Sequence, residues 1–214
     1  MDAIINCAGM DGNNEFKLNH AAQIMDVNIR IASNILGMAR ENNIKDVVLV
    51  SSAEVYSPQA ESPIKEEDDY QKHNEHTSNG YVLSKRFIEI LGELYGLENG
   101  LNVFSPRPAN VYGPRDHFNE GSPRVIPSMI KNVLSGRSIE IWGDGSYTRQ
   151  FVYVKDLVHS VFEMVEKDQF HKINVASDEV ISILDLAKQI CSIIGSGEKF
   201  TLNRDKPAGN SARR

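Results

Sequence analysis

Gly80-Tyr81-Val82-Leu83-Ser84-Lys85 opens a stretch in which Val82, Phe87, Ile88, Ile90, Leu91 and Leu94 recur at helical spacing, which predicts a helix over residues 78–95. Tyr81 and Lys85 then project from one face of that helix, one turn apart. At this spacing an ammonium group favours the phenolate and lowers a phenol pKa that starts near ~10. A phenol tuned in this way can exchange a hydroxyl proton near neutral pH. The same pair also occurs on ordinary solvated helix edges, so its meaning depends on what flanks it.

Upstream, Val47-Val48-Leu49-Val50 is the continuous β-branched and apolar run of a buried parallel strand, and it leads into Ser51-Ser52-Ala53-Glu54-Val55-Tyr56. Downstream, a second strand-like run from Leu101 ends in Pro106-Arg107-Pro108-Ala109-Asn110-Val111-Tyr112-Gly113-Pro114. With these three motifs in this order the sequence resembles the extended short-chain dehydrogenase/reductase family, in particular its NAD-dependent nucleotide-sugar epimerases and dehydratases. The resemblance covers nearly the whole chain. It implies Tyr81 and Lys85 as catalytic pair, with Lys85 also holding the nicotinamide ribose, Ser52 as the hydroxyl that aligns the sugar, and Asn110 as a substrate-binding residue.

Length and composition fit this class. The chain has 214 residues, 41% of them hydrophobic, enough for one substantial core and a smaller second lobe. A net charge of -6 gives no nucleic-acid footprint, and no apolar run is long enough to span a membrane. Cys7 and Cys191 have neither metal-ligand spacing nor disulfide-scaffold density, which predicts a reducing, cytoplasmic setting. His73 and His76 form the only close histidine pair, without a third ligand, so no metal is expected.

The first nine residues, ending Asn6-Cys7-Ala8-Gly9, read as a buried strand followed by small residues that let a cofactor approach the backbone. The resemblance makes this the family's fourth strand and expects a Gly-rich pyrophosphate loop ahead of it, which Gly9 and Gly12 do not supply. It likewise expects more of a terminal subdomain after Arg214. Residues 18–42 carry a long amphipathic pattern and predict a second helix, linked to the Val47 strand by a right-handed crossover. On it, Asn28 is either the asparagine that the family keeps beside the active site or a locally satisfied polar residue.

The other candidates follow from the resemblance, each with an ordinary structural alternative. Ser52 after a strand is also a common cap or turn residue. Glu54 stands where dehydratases carry the base that removes the C5 proton, but Ala53 replaces the acidic or hydroxyl residue that assists them. Ala8, Gly9, Asn28, Ser51 and Pro108 join Tyr81 and Lys85 as cofactor-binding candidates. Arg124, Val125, Ile141, Trp142 and Arg149 join Asn110 on the substrate side. Arg149 matches the family's diphosphate-binding arginine or serves a surface ion pair, and Trp142 stacks on the base or packs in the core. Arg124 replaces a histidine of GDP-fucose synthases, which argues against their combined epimerase and reductase chemistry. His117 reads as a loop residue without a partner, and residues 57–78 as a solvated acidic loop.

The expectation is an α/β chain with a Rossmann-like parallel sheet and flanking helices, incomplete at the N-terminus, plus a small substrate-binding lobe. Residues 1–114 would form the catalytic part of the dinucleotide-binding domain. Residues 115–214 would be mainly the lobe, with segments around residues 151–175 returning to the main domain. The function expected is C4 epimerisation of a nucleotide-diphosphate sugar through a 4-keto intermediate, with NAD, or NADP, as transient hydride acceptor. A 4,6-dehydratase using Glu54 is the alternative reaction. A catalytically inactive fragment or a dimerisation module is the alternative of another class. Apolar faces on the two long helices predict a homodimer.

Overall fold

The structure, a computed structural model, describes residues 2–57, 60, 63–68, 78–118, 124–169 and 171–206. The chain divides into two compact units, Met1–Ala109 with Lys155–Val175, and Asn110–Val154 with Ala176–Arg214.

In the first unit the apolar runs make a four-stranded parallel sheet of β1 (Ala3–Asn6), β2 (Asp46–Leu49), β3 (Asn102–Pro108) and β7 (Lys172–Val175), in the order β1-β2-β3-β7. Parallel strands need long crossovers. These are supplied by α2 (Ala21–Glu41), preceded by the short α1 (Asn14–Asn19), by α3 (Gly80–Asn99) and by α5 (Val154–Lys167). Burial on both faces explains why the sequence shows no polar position from Val47 to Leu49. Val47 and Leu49 face a core with Ala32, Leu36 and Ala39 of α2 and Ile88 of α3, whereas Val48 faces Phe104 of β3 and Val161 and Met164 of α5. Both faces of the strand are therefore dry.

The helix predicted over residues 18–42 is broken at His20, because Asn13 caps α1 through a hydrogen bond from Phe16 N and a new helix starts at Ala21. The start of α3 is fixed in the same way: Asn79 Oδ1 accepts from Tyr81 N at 3.0 Å and Val82 N at 3.3 Å. Gly80 then lets α3 lie directly against α2, since a Cβ there would meet the Ala21 carbonyl oxygen at 1.9 Å. Gly80→Ala must push two helix backbones apart. The expected cost is about 1–3 kcal/mol, read as a fall in Tm of at least several degrees.

The second unit holds a three-stranded sheet, β4 (Asn110–Tyr112), β6 (Thr148–Tyr153) and β8 (Val180–Ser182), with β4 parallel and β8 antiparallel to β6. A separate parallel pair joins β5 (Ile139–Trp142) to β9 (Phe200–Asn203). Helices α4 (Val125–Leu134) and α6 (Ile183–Ile194) cover a core of Met129, Val133, Ile139, Ile141, Ile183, Leu186, Ala187, Ile190 and Cys191.

Candidate functional site

The carboxyl ends of the strands are where ligands bind in open parallel sheets, and there the first unit gathers its candidate residues. Ala8 and Gly9 follow β1 and are exposed, Ser51 and Ser52 follow β2, and Pro108 ends β3. Helix α3 is tied to this edge by its own side chains. Lys85 Nζ donates to the Val50 carbonyl at 2.6 Å, and Arg86 Nε donates to the Val55 carbonyl at 2.9 Å. Tyr81 and Lys85 meet as their spacing predicts, with the ammonium 5.6 Å from the ring centroid. Burial pulls the Lys85 pKa below the usual lysine value, and the nearby acidic groups Asp11, Glu89 and Cys7 oppose that shift.

Ser52 caps the short 3-10 turn Ala53–Val55, its Oγ accepting from Glu54 N at 3.1 Å. The structural alternative for Ser52 therefore holds. It does not exhaust the residue, because a hydroxyl that accepts still has a proton to donate. Asn28 is buried and holds three partners: it accepts from Met10 N at 2.6 Å and donates to Met10 O and Ser84 Oγ, each at 3.1 Å. Its side chain braces the segment after β1 against α3. Ser51 differs from the expectation of a cofactor contact. Its Oγ donates to Glu89 Oε1 inside the protein, so only its backbone faces the sheet edge.

Three groups that the sequence reading passed over complete the picture. Lys17 is 5% exposed, and its Nζ donates to both Glu54 oxygens, at 2.8 and 3.0 Å, while lying 3.2 Å from Asp11 Oδ1 and 4.2 Å from the Tyr81 ring centroid. Glu89 and Arg107 form a fully buried, doubly hydrogen-bonded ion pair at 3.0 and 2.6 Å. Arg107 Nη1 also donates to Tyr56 Oη at 2.9 Å and to the Glu66 carbonyl at 3.1 Å, and Tyr56 in turn donates to Asn174. Burial disfavours the Arg107 cation, but the bonds and charge of Glu89 outweigh it and hold the guanidinium above its ordinary range. Burial likewise raises the Tyr56 phenol, against the opposing pull of Arg107.

Glu66 also accepts from Asn174 N at 2.8 Å, so part of the acidic stretch expected to be solvated is instead anchored to β7. His73 and His76 lie outside the described residues, among which no cluster of three metal-ligating side chains occurs. Among the described residues no helix is long and apolar enough to cross a membrane.

The substrate-side candidates all belong to the second unit. Asn110 Nδ2 donates to the Gln150 carbonyl at 2.9 Å and is exposed on β4. Arg149 is half-buried on β6, 5.2 Å over the Tyr147 ring, with Nη1 donating to Thr148 O at 3.0 Å. Trp142 is 46% exposed with Lys206 Nζ 4.6 Å above its ring, so it is not the core residue of the alternative reading. Ile141, by contrast, is in the core, which leaves only its backbone for a ligand, and Val125 packs partly against the same core. Arg124 caps α4 by position and lies 3.7 Å from Asp116. His117 N donates to Asp116 Oδ1 at 2.7 Å.

The chain is 44% identical, over its whole length, to a dTDP-4-dehydro-6-deoxy-D-allose reductase of Streptomyces sp, of which it spans 65%. It is 30% identical over 96% of its length to the GDP-L-colitose synthase of Yersinia pseudotuberculosis, covering 70% of that protein. Its fold matches a UDP-N-acetylglucosamine 4-epimerase from Methanobrevibacter ruminantium M1, solved in complex with UDP-N-acetylmuramic acid. That match has a TM-score of 0.86 and 26% identity, over 100% of this chain and 67% of the other. Residues 1–176 match the family signature as a continuous stretch that includes Ser52, Tyr81, Lys85 and Asn110, and the chain belongs to the NAD dependent epimerase/dehydratase family.

Proposed function

We propose that the protein reduces the 4-keto group of a nucleotide-activated 4-dehydro-6-deoxyhexose to an alcohol, without epimerisation. The observation that carries this reading is the pairing of Glu54 with Lys17 beside the Tyr81–Lys85 pair. A carboxylate that accepts twice from a buried ammonium is a poor candidate for a C5 base, so elimination loses its catalyst while carbonyl–alcohol chemistry keeps its own. The likeness to the Streptomyces reductase favours reduction. Arg124 in place of the fucose-synthase histidine favours reduction without an epimerising step.

The donor set at the sheet edge fits a dinucleotide. Lys85 is buried yet gives one hydrogen bond, to Val50 O, leaving ammonium donors for ribose hydroxyls, and at Ala8 and Gly9, after β1, a methyl group and no side chain leave the exposed backbone open to close approach. When bound there, NADH or NADPH would supply the hydride that C4 receives. Tyr81 donates its phenolic proton to the C4 oxygen as that oxygen gains charge. Lys85 offsets the phenolate left behind. Ser52 donates its remaining proton to the same oxygen and orients it. In the second unit, Arg149 binds the diphosphate, Asn110 the sugar-phosphate portion and Trp142 the base face. The free cysteines, exposed Cys7 and buried Cys191, suit a reducing cytoplasm.

The test is consumption of NADPH or NADH absorbance with dTDP- and GDP-linked 4-dehydro-6-deoxyhexoses. Stoichiometric loss with appearance of the 4-hydroxy sugar supports the reductase. Interconversion of C4 epimers with no net cofactor loss would instead support the 4-epimerase, the second reading, which the likeness to the Methanobrevibacter enzyme favours. Glu54→Gln is expected to leave turnover within about tenfold in either case, about 1.4 kcal/mol of barrier, because no C5 proton moves. A dehydratase would lose its elimination step.

The protein is further proposed to act as a homodimer. Phe87, Ile90, Leu94 and Leu97 line α3 at helical spacing and are all exposed in the single chain, as is Met38 on α2. Sedimentation at tens of micromolar is expected to give a dimer, and Leu94→Glu with Ile90→Glu a monomer.

A further inference from the structure

Lys17 stands in no motif of the sequence, yet it is among the most deeply buried ammonium groups of the first unit and touches three segments besides its own helix. It rises from α1 with 6% of its side chain exposed. It pairs with Asp11 from the segment after β1 and with Glu54 from the 3-10 turn, and it covers the Tyr81 ring at the start of α3. Burying an ammonium this far is unfavourable unless carboxylates accompany it, and both are present.

We propose that Lys17 is a second positioning cation for Tyr81, held over the phenol by Asp11 and Glu54, and that Glu54 serves the site as the counter-ion of Lys17. This rests on the reading of Tyr81 as the proton-transfer group. The ammonium lies 4.2 Å from the ring centroid, closer than the 5.6 Å of Lys85. A cation over an aromatic face is attracted by the ring's electrons, and more strongly when the phenol has ionised. Lys17 and Lys85 thus act together to favour phenolate, while Asp11 and Glu54 limit how far Lys17 does so. Among the described residues, Cys7 and Glu89 also act on Lys85, and Glu89 is itself paired with Arg107. Loss of the carboxylate at residue 54 should therefore leave Lys17 a stronger cation towards Tyr81, and loss of Lys17 should leave Tyr81 facing two unneutralised carboxylates.

The experiment is a pH titration of Tyr81 by NMR on protein carrying Cζ-labelled tyrosine, with Tyr81→Phe identifying the resonance. It needs neither substrate nor cofactor, so it can fail while the reductase reading stands, and the reverse. Lys17→Met should raise the Tyr81 pKa by about one unit. Lys17→Arg, which keeps the charge, should leave it near the wild-type value, and Glu54→Gln should lower it. These opposite directions separate charge from damage, since a loosened site would move both variants the same way. An unchanged pKa in Lys17→Met, an Arg variant that behaves like Met, or a pKa raised by Glu54→Gln would each overturn the proposal. Should Lys17→Met not fold, Glu54→Gln decides alone, because its side chain is 48% exposed and tolerates the change, and an unshifted or raised Tyr81 pKa then refutes the assignment.

Discussion

Tyr81→Phe should lower turnover by about 10²- to 10⁴-fold, with little change in KM. The ring would remain over Lys17 and near Lys85, and the helix cap made by Asn79 to the residue 81 amide uses only the backbone. What disappears is the hydroxyl whose proton the proposed reduction delivers to the C4 oxygen. The effect should therefore appear in kcat, and cofactor titration by nicotinamide fluorescence should be unaffected. A Phe variant with near-normal turnover would remove Tyr81 from the chemistry and, with it, the proposed reaction.

The elements that carry this prediction were legible because they are local. The apolar run at Val47 announces a strand buried on both faces, and the spacing of Tyr81 and Lys85 is set by one helical turn. The break at His20 was hidden because the apolar periodicity of Leu18 and Ile24 runs across it, although Asn13 carried a cap signal. Strands β8 and β9 are short and owe their form to partners, β6 and β5, that no local pattern identifies. In the site, Lys17 finds Glu54 across 37 positions, a contact created wholly by the fold. Glu89 was more accessible to sequence reasoning. It follows Lys85 by one turn and shares the face that meets the sheet, and Arg107 lies within a strand whose neighbours Ser105 and Pro108 are buried.

Arg107→Met is expected to reduce stability by about 3–5 kcal/mol, measured by urea unfolding, because it leaves Glu89 buried and charged without its partner. Both side chains are 0% exposed, so water cannot replace the lost hydrogen bonds in the folded state. The damage should extend to the site. Ser51 donates to Glu89 and precedes the capping Ser52, while Arg107 also holds Tyr56 beyond the turn and the Glu66 carbonyl, so one guanidinium braces both sides of the 3-10 turn. A second change separates charge from packing. Replacing the pair together, Glu89→Leu with Arg107→Met, removes the orphaned charge and should recover much of the stability, since a buried ion pair is often matched by apolar side chains of similar volume. Turnover should not recover with it, because Ser51 and Tyr56 would still lack their partners and the turn bearing Ser52 would be free to shift. If the double variant were as unstable as the single one, the buried pair would matter through its shape; if it regained full turnover along with stability, the brace would have no part in positioning Ser52.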